Sequence, residues 1–326
     1  MNSRKVLVVA FVLGLLLAPL AADAQQVGKV YRVGVIHEGG PYHAVIQGLR
    51  DGLRELGLEE RTHFVLDIRD TKGDLKAVEE AARSLVRARV DLLYTVATSV
   101  SLAAKRATAD IPIVFCAGGD PVVLGLVESF AKPGGRLTGI HYLSADLTAK
   151  RLEILKELLP KARRMVTFYT PDNPSAREAS RLAGPAARQL GIELVERRVS
   201  SVEELRAGLR ALKAGEADAF FLLSDAMVIS QMHLIIDVAR AKRLPTMVWD
   251  RVSVAEGALV GYGVNYYEVG RLSAKHVKRV LAGTNPKDLP VESVDRYELA
   301  LNLRTARELG LTIPQSVLIR ADQVIE

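Results

Sequence analysis

The stretch VATSVSLAAKRATADIPIVFCAGGDP, residues 96–121, decides the fold class. It begins at the end of the apolar run DLLYTV and contains a second apolar run, IPIVFC, with a helical stretch between the two. Short apolar runs rich in branched residues predict buried strands, and their alternation with helices predicts a parallel α/β sheet. The stretch also places hydroxyl side chains and one carboxylate where two of these strands end.

The same alternation extends along the chain and occurs twice. The first series runs from Tyr31 through DLLYTV and IPIVFC, and the second runs from Met165 through DAFFLL and LPTMVW. This repeat predicts two Rossmann-like α/β lobes with parallel sheets, the first ending near Ile140 and the second beginning near Leu147. The predicted strands are residues 31–36, 64–67, 91–96, 113–116, 137–140, 165–169, 193–197, 219–223, 246–249 and 259–262.

The N-terminus has the pattern of an export signal. Arg4 and Lys5 precede a charge-free apolar run over residues 6–20, and the small-x-small sequence Ala22-Asp23-Ala24 follows. The alternative is a membrane anchor, but about fifteen apolar residues fall short of the roughly twenty that span a bilayer. We therefore predict a signal peptide over residues 1–24, cleaved after Ala24, and a periplasmic mature protein that is monomeric and not inserted in the membrane.

Composition excludes several classes of protein. The chain has 326 residues, of which 49% are hydrophobic and 25% charged, as in globular proteins. The net charge is +6, but the basic residues are spread through helical stretches such as 83–89 and 206–213, which argues against nucleic acid. Cys116 is the single cysteine, so an intrachain disulfide is excluded.

Polar residues at two strand ends of the first series are candidates for ligand binding. Thr98 and Ser99 occupy the predicted N-cap position of the helix after DLLYTV, where free N–H groups and a partial positive charge suit a carboxylate. Capping alone would also explain these residues. Asp120 follows IPIVFC and either caps the next helix or faces the cleft between the lobes.

The second series has corresponding strand ends. YTPDNPSA contains Asn173, and DAFFLLSDAM contains Asp225. We expect Asp225 to accept hydrogen bonds from a ligand ammonium group, opposite a carboxylate at Thr98 and Ser99, so the pattern fits an α-amino acid. Aromatic side chains, which are frequent in small-molecule pockets, lie near several predicted strand ends; they are Tyr42, Tyr142, Tyr169, Trp249 and Tyr262.

Motifs of catalysis and cofactor binding are missing from the sequence. It contains no Gly-x-Ser-x-Gly, no His-Glu-x-x-His and no Gly-x-Gly-x-x-Gly. The six histidines, at positions 37, 43, 63, 141, 233 and 276, lack metal-ligand spacing. His37 and His43 could meet in the cleft, but no carboxylate motif accompanies them. We expect no enzyme activity, no cofactor and no metal.

Several segments together resemble a known family. They are IPIVFCAGGDPVVLGLVESFAKPGGRLTGI, YTPDNPSA, RLPTMVW and the closing LPVESVDRYELALNLRTARELGLTIPQSVLIRADQVIE. These segments resemble the ABC-transporter substrate-binding proteins of the tryptophan/tyrosine-binding type, and the similarity covers essentially the whole mature chain. The resemblance implies a type I periplasmic-binding-protein fold with three hinge crossings. It also implies delivery of a small ligand to a membrane permease driven by a separate ATPase.

The resemblance implies residue roles and boundaries as well. Thr98 and Ser99 would bind the ligand carboxylate, and Asp120, Asn173 and Asp225 would line the cleft. The expected first lobe is residues 25–140 plus about 250–290, and the second is 141–249 plus about 291–326. Hinge crossings are expected near 140–146, near 250–256 and between 283 and 300.

One loop departs from the family pattern. After the first strand the chain has HEGGPYHAVIQGLRDGL, whereas aromatic amino-acid binders that resemble it often carry a His-Pro or Ser-rich loop. His37, Glu38 and Tyr42 would face the ligand side group from this loop. The expected ligand is an aromatic or other apolar amino acid; the alternative is a ligand-sensing periplasmic domain for a small carboxylate that is not an amino acid.

Overall fold

The structure is a computed structural model that describes residues 29–213 and 215–326. The predicted signal peptide, residues 1–24, lies outside the described residues. Among the residues described, none of the helices combines the length and the apolar character that crossing a membrane requires.

The first lobe contains a six-stranded sheet in which every neighbouring pair is parallel, in the order β11-β5-β4-β3-β1-β2. The central strands β3, β4 and β5 are buried along their whole length, which explains why their sequences are nearly continuous apolar runs. The strands are β1 (Tyr31–His37), β2 (Phe64–Asp70), β3 (Leu92–Val96), β4 (Ile113–Ala117), β5 (Leu137–His141) and β11 (Glu292–Ser293).

Four helices complete the first lobe. Asp74 starts one of them, because its side chain accepts hydrogen bonds from the backbone N–H groups of Lys76 and Ala77. The last of the four comes from a distant part of the chain and packs beside the first. They are α1 (His43–Glu55), α2 (Leu75–Arg87), α3 (Thr98–Ala107) and α10 (Tyr266–Leu281).

The second lobe contains a seven-stranded sheet in the order β13-β12-β10-β9-β8-β6-β7. Its pairs are parallel except β10 with β12. The strands are β6 (Arg164–Tyr169), β7 (Glu193–Arg198), β8 (Ala219–Phe221), β9 (Thr246–Val248), β10 (Val260–Val264), β12 (Tyr297–Asn302) and β13 (Gln323–Ile325). The helices are α4 (Thr148–Leu158), α5 (Pro174–Gln189), α6 (Val202–Ala211), α7 (Ala226–Ser230), α8 (Met232–Ala241), α9 (Arg251–Glu256), α11 (Leu303–Leu309) and α12 (Gln315–Leu318).

The chain passes between the sheets three times: after β5, between β10 and α10, and between β11 and β12. The first and third positions agree with the expected crossings. The second does not, because α9 and β10 follow residue 249 and still belong to the second lobe. Strand β10 pairs with both β9 and β12. The boundary between the lobes therefore lies near Asn265, and the one expected near residue 250 is wrong.

Each of the ten predicted strands overlaps an observed strand, and the two predicted α/β lobes with parallel sheets are both present. Strands β11, β12 and β13 were not predicted. The parallel pairing of β11 with β5 also places residues 292–293 in the first lobe, so the expected final boundary near 291 is slightly early.

Helices α1 and α10 approach each other through glycines. A Cβ atom added at Gly48 would lie 1.8 Å from the carbonyl oxygen of Tyr267, and one at Gly270 would lie 1.9 Å from the carbonyl oxygen of Val45. Real Cβ atoms do not come this close to backbone, so only glycine permits this distance between the helices.

We expect Gly270→Ala to lower the free energy of unfolding by about 3 kcal/mol, because the helices must separate to admit the methyl group. Thermal and denaturant unfolding would measure the loss. Gly135→Ala is the matched control, since nothing lies within 4 Å of a Cβ atom there. Equal stability of the two variants would contradict the close helix contact.

Candidate ligand-binding site

A small cavity lies between the lobes, where strands of both sheets end. Its volume is about 20 Å³, which is room for about one water molecule. Every lining residue belongs to a segment that follows the carboxyl end of a strand, the usual ligand position in open α/β sheets. The lining residues are Tyr42, Ala97, Thr98, Ser99, Gly118, Tyr142, Ser144, Asn173, Ser175, Ser224, Ala226, Ile229, Trp249 and Tyr266.

Four aromatic side chains form much of the cavity wall. Tyr42, Tyr142 and Trp249, all expected at the site, lie there together with Tyr266, which was not expected. The ring centroids of Tyr42 and Tyr266 are 5.2 Å apart, and those of Tyr142 and Tyr266 are 6.2 Å apart. Tyr266 is the first residue of α10, just after β10, so the correct end of β10 would have revealed it.

A buried arginine supports Trp249 from behind. The guanidinium of Arg151 lies 3.5 Å from the Trp249 ring centroid and donates a 2.6 Å hydrogen bond to the carbonyl oxygen of Leu222. The indole Nε1 donates to the carbonyl oxygen of Leu223 at 3.1 Å. Burial lowers the pKa of Arg151 to about 9, so the guanidinium is still protonated near neutral pH. Both contacts fix the orientation of the ring.

Thr98 and Ser99 line the cavity but do not cap their helix. The N-cap residue of α3 is Ala97, so the expected N-cap assignment is wrong by one residue. Ala97 has φ 85° and ψ 150°, a strained conformation for a residue with a side chain. The hydroxyl of Thr98 accepts a 3.0 Å hydrogen bond from the N–H of Gly119. The buried Ser99 hydroxyl makes no hydrogen bond of standard geometry among the described residues, although it is near enough to the Glu38 carboxyl group to lower the pKa of that group.

A second helix start faces the cavity from the other lobe. Asn173 lines the cavity and caps α5, because its Oδ1 accepts hydrogen bonds from the N–H groups of Ser175 and Ala176. The buried hydroxyl of Ser175 has no hydrogen-bond partner within the described part of the chain. Two helix starts from opposite lobes therefore each present one such hydroxyl. Ser175 was not among the expected residues, although it lies two positions after Asn173.

Asp225 does not lie at the cavity wall, contrary to expectation. Its two carboxylate oxygens accept hydrogen bonds from the N–H groups of Thr170, at 2.6 Å, and Val228, at 3.2 Å. The side chain is fully buried and caps the short helix α7. Asp225 therefore joins two strand ends of the second lobe behind the cavity. Its carboxylate is not exposed to the cavity, so it is not placed to bind a ligand ammonium group there as predicted.

Asp120 neither lines the small cavity nor caps a helix, because the described chain forms turns over residues 121–125 and has no helix between β4 and β5. Its Oδ1 accepts hydrogen bonds from the N–H groups of Val122 and Val123. It lines a separate outer cavity of about 740 Å³ and is absent from the wall of the small cavity. The two cavities share Gly118 and Ser175, so the outer one adjoins the site.

The two expected residues His37 and Glu38 are buried next to the cavity but do not line it. Burial, with a smaller contribution from the nearby Asp225 carboxylate, raises the pKa of Glu38 to about 8. The neighbouring Ser99 hydroxyl acts in the opposite direction. Glu38 belongs to the first lobe and Asp225 to the second, so ionisation of Glu38 creates like charges across the lobe interface.

This arrangement predicts a specific pH dependence. Because the folded-state pKa of Glu38 lies above its ordinary 4.5, the contribution of Glu38 to the free energy of unfolding is fully present below pH 4.5. That contribution is lost as the pH rises through about 8. The loss is at most about 5 kcal/mol. We expect Glu38→Gln to melt higher than the unmodified protein near pH 8 and above, with the difference shrinking toward acid. Glu193→Gln, on the edge strand β7, is the control, and parallel melting curves for all three proteins would contradict the shifted pKa.

Direct contacts join the lobes around the cavity. The Ser144 hydroxyl lies 2.6 Å from the carbonyl oxygen of Gly118 in the first lobe and 2.6 Å from the hydroxyl of Ser224 in the second. Gln231 donates a 3.2 Å hydrogen bond to the carbonyl oxygen of Lys72. The lobes are therefore closed on each other.

Two α/β lobes closed on an aromatic-walled cavity at their strand ends define a ligand-binding protein of the periplasmic-binding type. The chain belongs to the ABC transporter substrate-binding protein family, because the pattern of that family matches residues 31–325. The Tyrosine-binding protein of Clostridioides difficile (strain R20291) is 30% identical over 266 residues, which are 81% of this chain and 76% of the relative.

Two solved structures are informative about the closed arrangement. One is the ABC domain in complex with L-Trp from Streptococcus pneumonia, with a TM-score of 0.81, 25% identity and coverage of 91% of this chain and 100% of that chain. The other is the ligand-free, open structure of a substrate-binding protein with adhesive properties from Clostridium difficile, with a TM-score of 0.60, 25% identity and coverage of 91% and 99%. At equal identity, this chain superposes better on the L-Trp complex than on the open, ligand-free structure.

Proposed function

We propose that the mature protein is an exported, monomeric component of an ABC importer that binds an aromatic amino acid and delivers it to a membrane permease driven by a separate ATPase. The observation that carries this proposal is the pair of buried cavity hydroxyls, Ser99 and Ser175, that make no hydrogen bond of standard geometry among the described residues and lie beside four aromatic rings. The protein has no catalytic role in this proposal. The tyrosine-binding relative and the L-Trp complex support the ligand class.

The ligand carboxylate is assigned to the two helix starts. Leaving a buried hydroxyl without a partner costs about 1–3 kcal/mol, so Ser99 and Ser175 favour an acceptor between them. The first turn of α3, which has no side-chain cap, adds free N–H groups, and both helices add the positive ends of their dipoles. A carboxylate matches these donors, and the aromatic wall matches an aromatic side chain.

The ammonium group has a different environment from the one that the sequence suggested. Among the described residues that line the cavity, none carries a charged side chain. Carbonyl and hydroxyl oxygens and the faces of the aromatic rings would hold the ammonium. The same observation favours, as a second candidate, a ligand-sensing role for an aromatic carboxylate that lacks an amine.

Binding requires movement, because a cavity of about 20 Å³ cannot contain an amino acid. We assign the movement to separation of the lobes at the three crossings, which would also break the contact between Ser144 and Ser224. Reclosure would then bury the ligand between the two helix starts.

We expect L-tyrosine to change the fluorescence of Trp249, the single tryptophan of the chain, because its ring lies in the cavity wall. The titration uses residues 25–326, freed of bound ligand by partial unfolding and refolding and excited where tyrosine absorbs weakly. Tyramine, which lacks the carboxylate, should bind at least tenfold more weakly. Equal binding of deaminated tyrosine would favour the second candidate, and no response to any aromatic amino acid would overturn the primary proposal.

The carboxylate assignment has its own test. Ser99→Ala and Ser175→Ala should each weaken L-tyrosine binding about tenfold or more, because each removes one hydrogen bond to a charged group. Ser180→Ala, farther along α5 where the hydroxyl donates to Glu196, is the control and should bind normally. Circular dichroism would check that the variants fold. Unchanged affinity in both cavity variants would remove the carboxylate from this position.

A further inference from the structure

The fold brings together three side chains that are separate in the sequence. His37 ends β1 and Asp70 ends β2, and the parallel register of the two strands places them directly opposite each other. His43 begins α1 after a short turn. A candidate carboxylate therefore accompanies His37 and His43, although no sequence motif indicated one.

The geometry of this cluster suits a metal ion. One potential ligand atom from each of the three residues lies within 4.8 Å of the others, and His43 Nε2 is 3.6 Å from Asp70 Oδ2. Ligand atoms on a tetrahedral zinc ion are about 3.3 Å apart, given bonds of about 2.0–2.1 Å. The remaining contraction is small for His43, whose side chain is 64% exposed and free to adjust.

His37 supplies an independent indication of a ligand. The residue is completely buried, and its Nε2 has no hydrogen-bond partner among the described residues. Its ring lies edge-on to that of His43, with centroids 4.7 Å apart.

Space beside Asp70 is kept open by Gly39. A Cβ atom at Gly39 would lie 2.9 Å from Asp70 Oδ1 and 3.3 Å from Oδ2. Oδ1 already accepts a hydrogen bond from the N–H of Lys72, which orients the carboxylate and leaves Oδ2 toward His43. The backbone N–H of Lys72 thus orients the Asp70 carboxylate.

We propose that His37, His43 and Asp70 form a binding site for a divalent transition-metal ion of the zinc class. Two imidazoles and one carboxylate suit Zn²⁺ and its neighbours better than Mg²⁺ or Ca²⁺. Three protein ligands leave a fourth position for water. The site is independent of the identity of the organic ligand.

Metal binding has a structural consequence in the adjoining loop. His37 Nδ1 accepts a 3.0 Å hydrogen bond from the N–H of Gly39, which places the ring proton on Nε2. Coordination through Nε2 moves that proton to Nδ1, so the Gly39 N–H must turn away. Gly39 and Gly40 both have positive φ, which makes this peptide adaptable. The same loop carries Glu38 and Tyr42, so the metal site and the cavity share one loop.

The test is calorimetric titration of tag-free, chelator-treated protein, residues 25–326, with ZnCl₂. One equivalent of zinc should bind, and Mg²⁺ at the same concentration should not. His43→Ala and Asp70→Asn should each weaken zinc binding at least tenfold. Both changes are at partly exposed side chains, and asparagine retains the acceptor for the Lys72 N–H.

His233→Ala is the matched control. His233 lies 3.4 Å from a carboxylate oxygen of Glu256 and is 75% exposed, so it is an exposed His–carboxylate pair like that of His43 and Asp70, without a buried third ligand. Zinc affinity should be unchanged in this variant. The proposal is overturned if the unmodified protein binds no zinc, if Mg²⁺ competes equally, or if His233→Ala reduces binding as much as His43→Ala.

Discussion

The close contact of α1 with α10 is the constraint on which the first lobe and the site both depend. Helix α10 returns to the first lobe only after the chain has built most of the second, and Gly48 and Gly270 bring it against α1 without intervening side chains. Helix α1 follows Tyr42 and α10 begins at Tyr266. The distance between these two rings is therefore set by the backbone contact of the two helices.

The fold was largely predictable from the sequence, because parallel strands that are buried on both faces have nearly continuous apolar sequences. All ten predicted strands overlap observed strands, although the edge strand β7 is largely polar and exposed. The C-terminal strands were harder to predict. Strand β11 has two residues and β13 has three, too few to show a period of hydrophobic residues. The boundary expected at residue 250 was wrong because the sheet to which β10 belongs depends on its pairing with β9 and β12, which no local sequence pattern records.

The site was predictable in position but only partly in role. Residues after strand ends were expected near the cleft, and Tyr42, Thr98, Ser99, Tyr142, Asn173 and Trp249 line the cavity. Whether a hydroxyl or carboxylate there faces a ligand or the backbone depends on side-chain direction, and for this reason Asp120 and Asp225 differ from expectation. Arg151 lay in a stretch that resembles an ordinary surface helix, and the proximity of Asp70 to His37 is a matter of strand register. The ionisable side chains of Glu38, Arg151 and Asp225 are thus buried behind the cavity wall and do not line the cavity.

The small volume of the closed cavity also governs kinetics. A ligand enclosed by lobes that touch at Ser144 and Ser224 has no route out while they remain closed, so its dissociation rate cannot exceed the rate at which the lobes part. Residence time would then be controlled at the three crossings, far from any atom that contacts the ligand. Substitutions in those segments can change how long a ligand stays without changing what the protein recognises.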